Sequence, residues 1–461
     1  MRRSDRLIGV LRAVLPSPFT IAILLSLLAF ALALLLTGGE KPLGGHALDL
    51  LGHWERGLWD PPLLVFTMQM MLILVLGHAI ALSRPVEALI DSLLRFCRDT
   101  PSSAATVTLL TVLVSLFNWG LGLVFGAIFA RKVAEHAVRR NFGLNYGLIG
   151  AAGYSGLLVW HGGISGSAPI KVAEAGHLKA LMAGSMSPEA LAGLPERIGF
   201  EQTVFSPANL LLCAVLVLLL PAVMFLLGRK DRSGVPHLRP SSLHSQLEGK
   251  PHGAERLDHS WVLAGGIAAV ILIYGAWSAL SKYPEQGLAF ITPNAINLLL
   301  FGGAIALHGN FHRFLAAVDE AIGGAAGILV QFPLYFGIMG LMKGSGLVEQ
   351  FAQFVVDHAT AGSYPLFTFL SAAVVNVFVP SGGGQWAVQG PLIVQASQAL
   401  GLDLPKGIMA MAYGDQLTNM LQPFWALPLL GITGLKAKDI LPYSLVLLLV
   451  GLVVFGLAVL W

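Results

Sequence analysis

Charged residues are scarce in this chain of 461 residues: Asp, Glu, Lys and Arg together make up 11%, whereas 55% of the residues are hydrophobic. A soluble domain usually carries about 25% charged residues. The chain lacks the polar surface that a soluble protein presents to water, so its excess apolar surface must face lipid. The length fits one integral membrane unit rather than a string of soluble domains.

Cysteine is almost absent as well. Cys97 falls in a basic loop and Cys213 in an apolar run, so the sequence shows no disulfide framework and no cysteine metal site. The net charge of +3 is too small to indicate a nucleic-acid partner, and it suits basic cytoplasmic loops. We therefore expect a lipid bilayer as the surroundings, no nucleic acid, no metal and no cofactor.

Two kinds of chemical motif are also missing. The glycine-rich stretch at 382–384 lacks the G-x-x-x-x-G-K-[ST] pattern of a nucleotide loop, and no strand precedes it. No nucleophile is accompanied by a base and an orienting partner. The sequence predicts that the protein is not an enzyme, with a membrane-embedded acyl-transfer enzyme and a channel left as alternatives.

Long apolar segments are what the chain does have, and a membrane-spanning helix needs about 20 such residues. The first follows a basic N-terminus without a small-residue cleavage site, so we interpret it as a helix and not as a removed signal. The segments lie near 18–37, 62–82, 105–130, 143–169, 207–227, 261–281, 288–308, 320–342, 364–395, 406–431 and 441–461.

Loop charges predict which segments cross. Arg2, Arg3, Arg6 and Arg12 place the N-terminus in the cytoplasm, and the loop 38–61 outside. Segment 105–130 has basic residues on both flanks, so we expect a re-entrant hairpin that enters and leaves on the cytoplasmic side and turns at Asn118-Trp119-Gly120. Segment 364–395 has non-basic flanks, so we expect a hairpin from the outside with its tip in "VPSGGGQW".

The same elements then occur twice with opposite orientation, an arrangement typical of secondary transporters. The predicted parts are a first half at 1–227, a cytoplasmic linker at 228–260, a connecting transmembrane helix at 261–287, and a second half at 288–461 that ends in the periplasm. The predicted fold class is an all-α polytopic membrane protein, an inverted repeat with two re-entrant hairpins and two broken transmembrane helices.

The broken helices are two apolar segments that polar residues and glycines interrupt. They read "YSGLLVWHGGISGSAP" at 154–169 and "AYGDQLTNMLQPFWALP" at 412–428. Irregular backbone at membrane depth survives only where protein or a water-filled cavity satisfies its polar groups. Two tips and two breaks in matching order therefore predict one shared central site.

That site contains no Arg or Lys, so backbone amides and helix N-termini are expected to hold a small carboxylate. We expect the glycines at the second tip to need positive φ and close backbone approach. Trp119, Trp386, Phe424 and Trp425 are candidates for an apolar wall. The candidate substrate-binding residues are Asn118, Trp119, Gly120, Gly162, Ser165, Ser167, Ser381, Gly382, Gly383, Gly384, Gln385, Thr418, Asn419 and Gln422.

His161 and Asp415 are the titratable residues in the interruptions and are the candidates for cation coupling, with H+ or Na+ as the ion. Other interpretations stay open. Asp415 can be a structural residue that caps a half-helix, His161 a satisfied core histidine, and the glycine stretch a packing loop.

The stretches "NVFVPSGGGQWAVQGP" and "AYGDQLTNMLQPFWALP" resemble the bacterial short-chain fatty acid transporter family over nearly the whole chain. The chain is similar, more distantly, to the ion-transporter superfamily of dicarboxylate and citrate carriers. Position by position, the tips match 117–120 and 380–386 and the broken helices match 160–167 and 414–423.

The resemblance implies a homodimer with elevator-type motion that imports substrates such as butyrate or acetoacetate at an inner membrane. The sodium-coupled relatives often have Ser-Asn-Thr at the tips, where this chain has Asn-Trp-Gly and Ser-Gly-Gly-Gly; this leaves proton symport open. The alternative is a sodium-coupled carrier of another small organic anion such as a dicarboxylate.

Overall fold

The structure is a computed structural model that describes the chain except residues 1–15, 40, 184–185, 230–232, 237, 239–252, 287–289 and 461. The four N-terminal arginines and most of the predicted linker at 228–260 lie outside the described residues.

The described residues form helices and connecting turns, without a strand. The helices of the first part are α1 (Pro18–Leu36), α2 (Leu43–Leu58), α3 (Pro61–Ala81), α4 (Arg84–Leu94), α5 (Thr100–Phe117), α6 (Trp119–Arg140), α7 (Tyr146–Tyr154), α8 (Ser167–Ala173), α9 (His177–Met182), α10 (Pro188–Ala192) and α11 (Pro207–Gly228). Those of the second part are α12 (Trp261–Gln286), α13 (Pro293–His308), α14 (Phe311–Ile322), α15 (Ala326–Gly344), α16 (Leu347–His358), α17 (Tyr364–Phe378), α18 (Gly382–Leu400), α19 (Leu404–Thr418), α20 (Pro423–Thr433) and α21 (Ala437–Leu460).

Seven helical stretches in this described part are long and apolar enough to cross a membrane, which makes the protein a multi-pass membrane protein. They are Pro18–Leu36, Pro61–Ala81, Thr100–Phe117, Pro207–Gly228, Trp261–Tyr283, Phe311–Gly344 and Ala437–Leu460. Several begin with a polar cap followed by proline. Ser17 and Ser206 each accept a backbone N–H from the first turn of their helix, and proline at the next position cannot extend the helix backwards.

The first predicted hairpin is formed by α5 and α6, which pack against each other and meet at Asn118. Glycine allows α6 of this hairpin to approach α7 closely. A Cβ added to Gly126 would collide with the carbonyl oxygen of Gly153 in α7. The first hairpin therefore packs tightly against the helix that precedes the first break.

The second predicted hairpin is formed by α17 and α18, joined by Val379–Ser381. Here the sequence interpretation was wrong about the backbone: none of Gly382, Gly383 and Gly384 has a positive φ, because they form the first turn of α18. Ser381 is the N-cap, and its Oγ accepts the N–H of Gly384 at 3.2 Å. The three glycines thus open a helix and do not form the turn itself.

Both predicted helix breaks are present. After α7 the chain continues as two short 3-10 turns at Ser155–Leu158 and Trp160–Gly162, followed by irregular backbone up to α8. After α19 comes one 3-10 turn, Asn419–Leu421, and then α20. The second break is narrower than predicted, since Gly414 and Asp415 lie within α19, which continues to Thr418.

Several predicted loops contain helices. The loop 38–61 includes α2, which packs along α15, and α4 follows directly after α3. The stretch between the first break and α11 contains α8, α9 and α10, and we call residues 167–206 the connector. These helices are short or amphipathic, so a search for long apolar runs does not detect them.

A hairpin, a broken segment and a long helix follow one another twice along the chain. The first set is α5–α6, α7 with its break, and α11; the second set is α17–α18, α19–α20 with its break, and α21. The arm α17 packs along α19, and α5 packs against both α7 and α11. Asn118 at the first tip, His161 in the first break and Asn419 in the second are buried, whereas the second tip is partly exposed at Gly383.

Candidate functional site

The two breaks contact each other directly. The hydroxyl of Tyr154, at the end of α7, donates to the carbonyl oxygens of Asn419 at 2.6 Å and Gln422 at 3.0 Å. Both carbonyls lie where the α-helical hydrogen bonding of the second segment is interrupted, and that of Asn419 also accepts the backbone N–H of Gln422 at 3.2 Å. The first broken segment is thus hydrogen-bonded to the backbone of the second break.

His161 forms a second set of contacts between the first broken segment and α19. Its backbone N–H donates to Oε1 of Gln416 at 2.9 Å, and its Nδ1 lies 3.2 Å from the carbonyl oxygen of Ala412. The Nδ1 atom must carry a proton to bond a carbonyl, which leaves Nε2 as the free ring nitrogen. Nε2 lies 3.9 Å from Oδ1 of Asp415, and both side chains are fully buried.

The tip of the second hairpin lies against this pair. A Cβ on Gly382 would collide with Nε2 of His161 and would lie 3.1 Å from Oγ of Ser167. His161 is therefore the common neighbour: Gly382 lies against its Nε2, which also faces Asp415. The absence of a side chain at 382 is what allows the helix N-terminus of α18 to reach the imidazole.

Asn376, one turn before the second tip, organises the second break. Its Nδ2 lies within hydrogen-bonding distance of the carbonyl oxygen of Asp415 at 2.6 Å, Oδ1 of Asn419 at 2.8 Å and Oγ1 of Thr418 at 3.0 Å. The amide of Gln422 donates back to the carbonyl oxygen of Asn376. This network fixes the second hairpin on the broken helix.

The first tip is held in a matching way. Asn118 caps α6 by accepting the N–H of Leu121 at 3.0 Å. The N–H of Trp119 donates to Oγ of Ser165 at 2.9 Å, and the N–H of Ile164 donates to the carbonyl oxygen of Leu116. The first tip therefore binds the first break, whereas the second break is bound by Asn376 in the arm that leads to the second tip.

An aromatic cluster lies beside the first tip. The ring centroid of Trp119 is 5.7 Å from that of Trp160 and 5.1 Å from that of Trp425. Phe424 stacks on Phe332 of α15 at 3.9 Å. Three of the four residues predicted to form an apolar wall are in this cluster. Trp386 is not: it packs with the connector, and its Nε1–H donates to Nε2 of His177.

The remaining predicted residues have separate surroundings. The carbonyl of Gly162 accepts from Asn209 at 2.9 Å, and the amide of Gln385 donates within the second hairpin to Ala372 and Gln389. Gly120 lies in the first turn of α6. Gly383 is exposed, and no atom would contact a Cβ there within 4 Å, whereas Met339 and Ser381 crowd Gly384.

The place where the two breaks meet, around His161 and Asp415, is called the crossing below. Several buried polar atoms there have no hydrogen-bond partner among the described residues. They are Nε2 of His161, Oδ2 of Asp415, Oδ1 of Asn376, Nδ2 of Asn419, and Oε1 of Gln422 and Gln385. Buried polar groups are nearly always paired, so a cluster of open donors and acceptors is typical of a place for water, an ion or a small polar ligand.

Sequence reasoning missed four polar residues that hold the site together: Tyr154, Asn209, Asn376 and Gln416. A polar side chain within an apolar helical run was the available signal, since such a side chain needs a buried partner. Asn376 was visible as the polar residue in the arm before "VFVPSGGG". Its partners, however, are about 40 residues away, and the sequence does not show that pairing.

Comparisons with known proteins place the chain among transporters. The family model described as "Short chain fatty acid transporter" matches residues 1–461. A protein of Escherichia coli (strain K12), provisionally named a short-chain fatty acid transporter, is 38% identical over 96% of this chain and 95% of its own length. A protein of the same provisional name from Haemophilus influenzae (strain ATCC 51907 / DSM 11121 / KW20 / Rd) is 36% identical, covering 94% of each chain.

Solved structures match this chain at lower sequence identity. The YdaH transporter of Alcanivorax borkumensis, described as having an unusual topology, gives a TM-score of 0.45 at 16% identity, over 96% of this chain and 98% of that one. MtrF of Neisseria gonorrhoeae, described with a class of antimetabolite efflux pumps, gives 0.43 at 15%, over 98% and 97%.

Proposed function

Since the chain belongs to the short-chain fatty acid transporter family, we propose that it is a secondary active transporter that imports short-chain monocarboxylates across an inner membrane by cation symport. Substrates such as butyrate or acetoacetate fit a site without Lys or Arg, in which helix N-termini and neutral donors meet the carboxylate. The aromatic cluster of Trp119, Trp160 and Trp425 offers an apolar surface for a short tail.

The observation that carries this proposal is the meeting of His161, Asp415 and Gly382. The pair belongs to the two broken segments, and the helix N-terminus of the second hairpin touches it. A buried carboxylate costs less free energy when a proton or a metal cation neutralises it. Substrate and coupling cation therefore affect the same small region, which is what symport requires.

The membrane arrangement is part of the proposal. The two hairpins enter from opposite sides, the N-terminus is cytoplasmic, the C-terminus is periplasmic, and the connector lies outside. Two copies form a dimer in which the hairpins and broken helices move as one body past the remaining helices, in elevator-type alternating access. The repeated order of elements supports this arrangement, as does the hydrogen bonding of each hairpin to its own break, through Trp119 in the first and Asn376 in the second.

Proton coupling is favoured over sodium, since Nε2 of His161 and the carboxylate of Asp415 are two buried groups that can each accept a proton. The test is uptake of labelled butyrate into proteoliposomes, with pH and sodium gradients imposed separately. Asp415→Asn keeps the shape of the side chain but cannot ionise. We expect this variant to lose concentrative uptake driven by a pH gradient and to keep counterflow exchange.

The matched control is Asp403→Asn. Asp403 precedes the same helix α19, is exposed, and makes no capping hydrogen bond with its side chain. Its variant should concentrate butyrate like the parent protein. If Asp415→Asn also concentrates butyrate to the parent level, Asp415 is structural and coupling lies elsewhere. Uptake that follows only the sodium gradient would favour the alternative, a sodium-coupled carrier of a small organic anion.

A further inference from the structure

The connector forms a second, smaller hydrophobic core with the second hairpin. Val172, Leu178 and Ile198 of the connector pack with Trp386 and Val394 of α18. The connector follows the first break in the chain, yet it covers the hairpin that precedes the second. It therefore bridges the two halves of the molecule at a place separate from the crossing of the breaks.

One hydrogen bond crosses this core. The Nε1–H of Trp386 donates to Nε2 of His177 at 3.0 Å, and the two rings lie 6.5 Å apart at an interplanar angle of 29°. An indole N–H is a donor only, so Nε2 of His177 must be unprotonated to accept it. A histidinium ring has N–H groups at both positions and would face the indole N–H with a second donor.

We propose that His177 is a positioning residue: it holds the second hairpin against the connector while its ring is neutral and releases the hairpin when the ring is protonated. The inference rests on the proposed function in taking the second hairpin as a part that opens. Trp386 is only four residues after Gly382, which lies on His161, so a movement of α18 at Trp386 changes the position of the tip.

The surroundings of His177 support a titration that depends on this contact. α18 contains no titratable residue, so that side contributes no charge. Lys171 and Glu174 face the ring from α8 and its end, and they pair with each other at 2.8 Å. Lys179 on its own helix pairs with Glu196 of the connector, and the packed helix α10 carries Glu189.

Burial lowers the pKa of His177 from its ordinary value near 6.5, with Glu174 opposing and Lys171 adding to the shift. The open state, in which the ring is solvated, then has the higher pKa and binds protons first. The closed contact is accordingly fully stable above the ordinary histidine range, and it weakens as the pH falls below about 6.5. Acid on the outer side would loosen the second hairpin.

The test is backbone hydrogen–deuterium exchange of residues 385–395 in the full-length protein at pH 7.5 and 5.5, corrected for intrinsic exchange. We expect protection to fall several-fold at pH 5.5 in the parent protein. His177→Gln keeps an acceptor that does not titrate, so its protection should stay high at both pH values. Trp386→Phe removes the donor, so its protection should be low at both.

His358→Gln is the matched control, because His358 is an exposed histidine on α16 whose Nδ1 contacts only its own helix, at Phe354. It should behave like the parent. An equal pH response in His177→Gln and the parent overturns the inference. Counterflow of labelled butyrate at equal pH on both sides separates the two proposals. If no variant exchanges butyrate but protection still depends on His177, butyrate is not the substrate and the role of His177 stands.

Discussion

Single residues decide how closely the second hairpin approaches the crossing, and Gly382 is the most constrained of them. The sequence interpretation treated Gly382, Gly383 and Gly384 alike. The structure separates them, because only Gly382 lies against the imidazole of His161, whereas Gly383 faces open space. We expect Gly382→Ala to abolish butyrate uptake, since overpacking of a rigid site typically costs about 1–3 kcal/mol.

Gly383→Ala is the control for that prediction. Its backbone is helical and its Cβ would contact nothing, so the variant should transport normally. It should also be slightly more stable, because alanine is favoured over glycine in a helix by about 1 kcal/mol. Membrane expression, thermal melting in detergent and butyrate uptake measure the three properties. Equal activity of the two alanine variants would contradict the described contact with His161.

Asn376 is the second residue with a specific expected effect. Asn376→Ala removes the donor that three acceptors share, whereas the amide of Gln422 keeps its partner, the backbone carbonyl of residue 376. Each unsatisfied buried group costs about 1–3 kcal/mol. We expect a lower melting temperature and loss of uptake. Val374→Ala, on the exposed face of the same helix, should lower the melting temperature much less; an equal decrease would show that Asn376 matters only for packing.

At the scale of helices and hairpins, the N-caps at the two tips connect sequence to site most directly. Asn118 caps α6, and the cap can be tested apart from any contact with substrate. Asn118→Ser keeps a capping oxygen, while Asn118→Ala removes it at a cost of about 1 kcal/mol. If capping is the role of Asn118, the serine variant should transport butyrate with a parental KM and the alanine variant should lose activity.

A different result would assign Asn118 another role. A raised KM in both variants, without a change in melting temperature, would mean that the amide contacts the substrate. Ser381→Ala provides the equivalent comparison at the second tip, where the cap bond to Gly384 is 3.2 Å long. The two tips can then be compared under the same assay.

Whole elements were predicted from the sequence where they are long and apolar. The hairpin turn at Asn118 and the two broken segments are present, because polar residues and glycines stand out in apolar sequence. The prediction of positive φ at Gly382–Gly384 was wrong, because a serine before three glycines can also cap a helix. The connector helices and α2 were missed because short amphipathic helices owe their stability to tertiary packing.

The sequence predicted that His161 and Asp415 belong to one shared site, but it did not predict the 3.9 Å approach of Nε2 of His161 to Oδ1 of Asp415. Their proximity depends on a contact between segments about 250 residues apart, and no local pattern encodes such a contact. The partner of Trp386 was missed for the same reason. Trp386 was grouped with Trp119 and Trp425, yet its direction along α18 takes it to His177 in the connector.

For the whole molecule, the central expectation is that the two hairpins enter the membrane from opposite sides. Both ends of one hairpin must then be accessible only from the cytoplasm, and both ends of the other hairpin only from outside. Exposed positions are available for labelling: Arg98 and Arg140 flank the first hairpin, and Ala361 and Gln398 flank the second. Single cysteines at these positions can be introduced after replacing Cys97 and Cys213.

A membrane-impermeant thiol reagent applied to intact cells should label cysteines at 361 and 398 and leave those at 98 and 140 unlabelled. Permeabilised cells should be labelled at all four positions, which controls for reactivity. The physical basis is the retention of Arg and Lys in the cytoplasm. Both flanks of the first hairpin contain several of these residues, whereas acidic residues balance Lys343 and Lys406 in the flanks of the second. Labelling of 98 and 140 from opposite faces would make α5 and α6 ordinary crossings and would remove the inverted repeat. In that case the His161–Asp415 pair would still be buried, but the two tips would no longer be approached from opposite sides of the membrane. Alternating access would then need a different moving part.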